Sequence, residues 1–187
     1  MKQSLEGFLA LSSSRPFKAE VVETLTSEKS LEEVSVIAYQ YFADGTYSRN
    51  RNIEQTVEVQ DLTAEGEEGG TRIRVSETIR VLGLPVNQVE ISAVFFKPAT
   101  FTNGLSLPIV SEVRQFKYFF AIFKVQQSTS SDGLNTYKLS MTLWFELKRF
   151  SILDGFVIRG FQTAHKPSLQ KLKALIEGKA VDPGDGK

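Results

Sequence analysis

Cysteine is absent from this sequence of 187 residues, so disulfides, thiolate metal sites and cysteine nucleophiles are excluded. Histidine occurs once, as His165, which rules out a histidine pair or a histidine-rich metal cluster. A metal would need carboxylates alone, and no Asp-rich loop has ligand spacing. No metal and no cofactor are therefore expected. Neither charge sign is in excess: Lys plus Arg and Asp plus Glu both number 22. Nucleic-acid binders carry a basic excess or stripe, so no nucleic-acid partner is expected. Long apolar runs are missing too. None approaches the roughly 18 residues of a spanning helix, so no integral membrane segment is expected. The short stretch Gly7-Phe8-Leu9-Ala10-Leu11, preceded by Glu6, is a poor signal-peptide core, and a cytoplasmic location is the expectation. Gly66, Gly69 and Gly70 lack the spacing of a phosphate-cradling loop.

What the chain does have is phenylalanine, 14 against one tryptophan and five tyrosines. Phe brings large apolar contact with no polar atom to satisfy, which suits either a dry core or a lipophilic cavity. The length accommodates one domain with a full core. Residues 1–16 read as a short helix or an arm. Phe17 to Thr26 alternates as a strand through Phe17, Ala19 and Val21. Ser30-Leu31-Glu32-Glu33 is a capping box, which decides the β-branched stretch Val34–Phe42 in favour of helix until Asp44-Gly45.

From Ile53 the period becomes two. Ile53, Val57 and Val59 share a face, and a loose turn at 65–70 leads to the cleanest strand, Thr71–Val81. There Ile73, Val75, Ile79 and Val81 alternate with Arg72, Arg74, Ser76, Thr78 and Arg80. Leu82-Gly83-Leu84-Pro85 is expected to end it. Val89–Phe96 is a further strand, and 97–109 reads as a loop carrying Phe101, Leu105, Leu107 and Ile109. Val113–Val125 is a Phe-dense strand whose inward face is left open. After a turn at Gln127–Asn135, Thr136–Leu147 places Tyr137, Leu139, Met141, Leu143, Phe145 and Leu147 on one face. Ser151 with Asp154 opens a long amphipathic helix to Ile176. Leu153, Val157, Phe161, Ala164, Leu172 and Ile176 form its stripe, and Gly178 is its stop. Pro167 should kink or split that helix near Ala164–Lys166. Residues 179–187 read as a disordered tail.

The stretches Ala19–Glu23, Ser30–Val34, Gly69–Val75 and Leu143–Leu147, running on to Leu172–Glu177, in this order resemble the START/polyketide-cyclase-like, or helix-grip, superfamily. The resemblance covers Phe17 to Gly178 and rests on order and pattern. It implies an α+β fold over 17–178, a curved antiparallel sheet gripping a long C-terminal helix with an internal cavity. The runner-up is a lipocalin-like barrel with a helix outside. The superfamily has no invariant catalytic motif, so no catalytic residue carries over.

The function expected from these features is non-catalytic binding or carriage of a hydrophobic small molecule or lipid. Its candidate ligand-binding residues are Ile73, Val75, Glu77, Phe119, Phe123, Met141, Leu143 and Phe161. Glu77 is also the one weak catalytic candidate. Alternation puts its carboxylate on the apolar face of its strand, where desolvation disfavours the charge, unless a bulge returns it to water. The enzymatic alternative, a cyclase or dehydratase, would join Glu77 to Tyr118 or Tyr137 as proton donor. A third reading is a ligand-free structural or assembly protein. It would use loop 99–109 to contact a partner; the apolar content of that loop also suits a cavity lid, a membrane-touching tip or an oligomer contact. His165 reads as a partly exposed helix residue, and Glu90, Arg114 and Lys124 as solvated.

Overall fold

The computed structural model describes residues 5–49, 55–61, 70–81, 84–96, 99–101, 103–129, 134–148 and 154–179. Twelve elements follow in chain order: α1 (Leu5–Ser14), β1 (Ala19–Ser27), α2 (Leu31–Ala43), α3 (Thr46–Arg49), β2 (Gln55–Asp61), β3 (Gly70–Val81), β4 (Leu84–Phe96), β5 (Ala99–Phe101), β6 (Gly104–Glu112), β7 (Phe116–Thr129), β8 (Asn135–Leu147) and α4 (Asp154–Ile176). The strands form one antiparallel sheet in the order β1-β8-β7-β6-β4-β3-β2, with β5 joined to β6. The α+β class and the C-terminal helix against the sheet are thus as the sequence leads one to expect.

Alternation along each strand sorts side chains to two faces. On the inner face Leu105, Leu107, Ile109, Ala121, Phe123, Val125, Leu139, Met141 and Leu143 join one buried cluster with Phe161, Leu169, Leu172 and Ile176 of α4. Each such side chain contributes roughly 1.5–3 kcal/mol on leaving water, so this face dominates stability. The α2 helix adds Val34, Ala38, Tyr41 and Phe42, spaced to share one helical face. Phe42 lies at the centre, its ring 4.2 Å from Tyr47, 4.7 Å from Phe123 and 5.7 Å from Phe95. On the outer face a smaller cluster, Phe120, Ile122 and Trp144, is covered by Phe8 and Leu11 of α1.

The α2 helix begins as its sequence dictates. Ser30 Oγ accepts from the Glu33 amide, and the Glu33 carboxylate accepts from the Ser30 amide at 2.7 Å. The α4 helix ends at Gly178, whose φ of 69° only glycine adopts without cost. Its expected cap at Ser151 lies outside the described residues, as do Ile53, Leu153, residues 65–69 of the expected turn, and residues 180–187.

Three expectations are corrected. Pro167 does not split α4, which runs unbroken through it. Tertiary packing overrides the proline there: fully buried Ser168 donates to the Tyr47 carbonyl at 2.7 Å, and Tyr41 donates to the Ser168 carbonyl at 3.1 Å. Residues 99–101 and 104–109 are not a loop but belong to the strands β5 and β6, and residue 102 lies outside the described residues. Pro108 falls where β6 passes from β5 to β4 as its neighbour, a place that suits a residue with no N–H. Leu84 and Pro85 likewise open β4, opposite Val81 and Arg80 beyond a register shift, instead of ending the sheet.

Candidate ligand site

The inner face has two unlike ends. Beneath the C-terminal half of α4, Leu169, Leu172 and Ile176 have no exposed surface, and neither do Tyr137, Leu139 and Leu143 of β8. Beneath the N-terminal half, Val157 and Ile158 are only half-buried, as are Phe116, Phe119 and Leu147 at the facing strand ends. Phe156 on the first turn is 74% exposed.

A β-bulge builds the open end. The β7–β8 register shifts between Phe116 and Tyr118, so Phe116 opposes Leu147, Tyr118 opposes Glu146, and Lys117 is the extra residue. Without the bulge Phe116 would share the outer face with Tyr118 and Phe120. With it, the Phe116 ring lies 4.9 Å from Phe119 and 5.7 Å from Phe145, edge-on to both. Such pairs contribute beyond their buried area. The freed Lys117 ammonium binds Glu146, and Arg15 binds the same carboxylate at 3.0 Å. Lys117 first, then Arg15, holds the Glu146 carboxyl below the usual range.

Two clefts accompany this core. One of about 350 Å³ lies at the β6–β7 turn, lined by Phe8, Val110, Ser111, Glu112, Val113, Arg114, Phe116, Lys117, Tyr118 and Phe119. Another of about 510 Å³, lined by Thr26, Ser27, Glu28, Lys29, Glu33, Leu134 and Glu177, is polar and sits at the α2 N-terminus.

Of the candidate ligand-binding residues, Ile73, Phe123, Met141, Leu143 and Phe161 all lie in the inner cluster, and Phe119 packs against it half-buried. The inward face of β7 is thereby identified as that of Phe119, Ala121, Phe123 and Val125. Val75 and Glu77 follow Ile73 along β3, Glu77 opposite Gln55 and Val89, and their side chains lie outside the described residues. The register is unbroken from Gly70 to Ile79, and the one shift in this strand pair lies beyond Glu77, between Ile79 and Arg80.

Both tyrosines suggested as proton donors beside Glu77 have other partners for their hydroxyls. Tyr118 packs with the outer cluster and accepts a hydrogen bond from Arg15 at 2.9 Å. Tyr137 is inside, but its hydroxyl donates to the Lys29 carbonyl at 2.6 Å. Burial, then the Glu33 charge, raises its pKa against a smaller opposing effect of Asn135.

Sequence reading missed Tyr47. Asp44 accepts from the Thr46 amide at 2.8 Å and Gly45 takes a positive φ of 78°, which starts α3 and turns Tyr47 inward. Its hydroxyl is hydrogen-bonded to His165 Nδ1 at 2.6 Å, and the two rings stack. The Asp44-Gly45 pair announced the turn; nothing local announced the partner 118 positions away.

No protein family and no curated protein matches the sequence. Solved structures do. A conserved protein from Geobacillus kaustophilus aligns with a TM-score of 0.51 at 11% identity, over 84% of this chain and 94% of that one. A START superfamily protein from Mycobacterium smegmatis aligns at 0.48 and 9%, over 85% and 97%. A protein from Thermus thermophilus aligns at 0.48 and 17%, over 84% and 96%. Identities this low bear on fold alone, and the last two scores carry no argument. The element order, the curved antiparallel sheet and α4 against its inner face give this chain a helix-grip fold.

Proposed function

We propose that this protein binds a hydrophobic small molecule or lipid between the sheet and α4, without catalysis. The observation that carries the reading is the division of the inner face: one half is sealed by aliphatic packing, and the other ends in half-buried rings, Phe116 and Phe119, under a half-buried helix turn. Apolar surface left half-exposed beside a cleft is where an apolar ligand gains most from leaving water. No helix among the described residues is long and apolar enough to cross a membrane.

The test is titration of the purified protein with N-phenyl-1-naphthylamine, a neutral lipophilic fluorophore. A saturable, single-site rise in emission is expected, displaced by unlabelled lipophiles. Emission that rises without saturation, or not at all, removes the proposal.

A further inference from the structure

We propose that the end of the molecule bearing Phe17 and Phe156 docks on an anionic lipid surface. Four segments meet there. The Lys18 amide donates to the Leu143 carbonyl at 2.8 Å, and its ammonium reaches Asp154 at 3.2 Å. These bonds bring residues 15–18 and the start of α4 to the end of β8. The Phe116 amide donates to the Val113 carbonyl and the Lys148 amide to the Gln115 carbonyl, each at 3.0 Å, which sets the β6–β7 turn beside the same strand end.

The chain is neutral as a whole, yet its charge is unevenly spread. Residues 15–18, 112–117, 146–148 and 154–159 carry Arg15, Lys18, Arg114, Lys117, Lys148 and Arg159. Against these six stand Glu112, Glu146 and Asp154. Arg15 and Lys117 pair with Glu146 and Lys18 with Asp154, but pairing leaves the sum unchanged, an excess of three positive charges. The far end, around the polar cleft at the α2 N-terminus, has the other sign. There Glu28, Glu32, Glu33 and Glu177 outnumber Lys29 and Lys179. A field that differs in sign between two ends orients a molecule before contact, even at zero net charge. The second observation is apolar. Among the described residues the exposed aromatic rings are Phe17, at 53%, and Phe156, at 74%, and both lie at the cationic end. They flank the Lys18–Asp154 pair, and exposed Arg159 follows Phe156 by three positions on the same side of α4. Charge alone would fit any polyanion. The rings favour an anionic bilayer, whose headgroups meet the cations while its acyl boundary takes the rings out of water. This docking needs no ligand in the interior.

The experiment is cosedimentation with phosphatidylcholine vesicles, with and without about 30% phosphatidylserine. Wild-type protein is expected to bind the anionic vesicles about tenfold or more tightly than the neutral ones, and to lose that preference as salt is raised. Lys148→Gln/Arg159→Gln should weaken binding about tenfold and Phe156→Ser about fivefold. Lys29→Gln/Lys179→Gln removes the same charge from the far end and should change binding by less than about twofold. Unchanged emission from Trp144 in each variant shows that the fold is kept. No preference for anionic vesicles, or equal loss in the two charge variants, overturns the docking. Loss in the Lys148/Arg159 variant with none in Phe156→Ser overturns the bilayer in favour of another polyanion. A concentration-dependent dimer in sedimentation velocity, abolished by Phe156→Ser, would assign the rings to a second copy instead and overturn it too. None of these outcomes bears on titration with N-phenyl-1-naphthylamine, which tests the interior site separately.

Discussion

Ser30 and Glu33 hold the first turn of α2 by a reciprocal pair of bonds, and that pair carries its own pH dependence. The Ser30 amide first, then its hydroxyl, keeps the Glu33 carboxyl below its ordinary 4.5. A carboxyl depressed in the folded state stabilises above its unfolded pKa and ceases to as pH falls through the folded one. Ser30→Ala should cost about 1 kcal/mol at neutral pH, or roughly 2–4 °C in melting temperature for a chain of this size. That deficit should narrow below about pH 4, as the partner carboxyl protonates in both proteins. Urea denaturation at pH 7 and pH 3 checks it; a constant deficit would mean that Glu33 takes no part. Tyr137 has the opposite sign. Its pKa is raised on folding, so its contribution is complete below the unfolded value and declines as pH rises through the folded one. Tyr137→Phe should cost about 1 kcal/mol at pH 7 by leaving the Lys29 carbonyl only the longer bond from the Asn135 amide, at 3.3 Å, and less in alkali above about pH 10, measured by the same denaturation.

Elements differ in how plainly they could be read. The α2 cap was legible because a capping box is local: four residues both form the bonds and reveal them. The strand β8 was legible because six apolar residues at period two mark one continuous face for burial. Residues 99–109 were not, because Leu105, Leu107 and Ile109 do alternate but sit among Pro98, Gly104 and Pro108, and only the neighbours β4, β5 and β7 make Pro108 harmless. The α1 helix was open between helix and arm for a related reason. Its support comes from Phe8 lying 5.1 Å from Phe120, and from the Trp144 indole donating to the Arg15 carbonyl at 3.1 Å. Trp144 is the one tryptophan, so it reports on this docking alone. Phe8→Ala should shift its emission to the red and raise its quenching by acrylamide. The loss of stability should be smaller than for a substitution under α4, since a terminal helix can fray without opening the inner core. Unchanged emission would show that α1 is held by something other than Phe8.

At the scale of the molecule, the proposed function assigns both stability and a place for a ligand to the same face of one sheet, with the bulge at Lys117 at the end assigned to the ligand. A period-two pattern places Phe119 and Phe123 on a common face, and the sequence reading grouped them accordingly with Met141, Leu143 and Phe161. It could not say that Phe116 joins them, because a one-residue register shift leaves no mark in the pattern. Nor could it say which end is sealed, since that depends on where α4 lies. The division predicts a crossed pattern in two variants. Leu172→Ala removes a side chain with no exposed surface, so it should cost about 2–5 kcal/mol while leaving affinity for N-phenyl-1-naphthylamine within about twofold. Phe119→Ala removes a half-buried ring, so it should cost less stability, about 1–2 kcal/mol, yet weaken the probe about tenfold through lost apolar contact. Denaturation and probe titration on the same preparations give both quantities. If the two substitutions lower stability and affinity in parallel, then binding follows overall integrity and the open end is only a thinner part of the core.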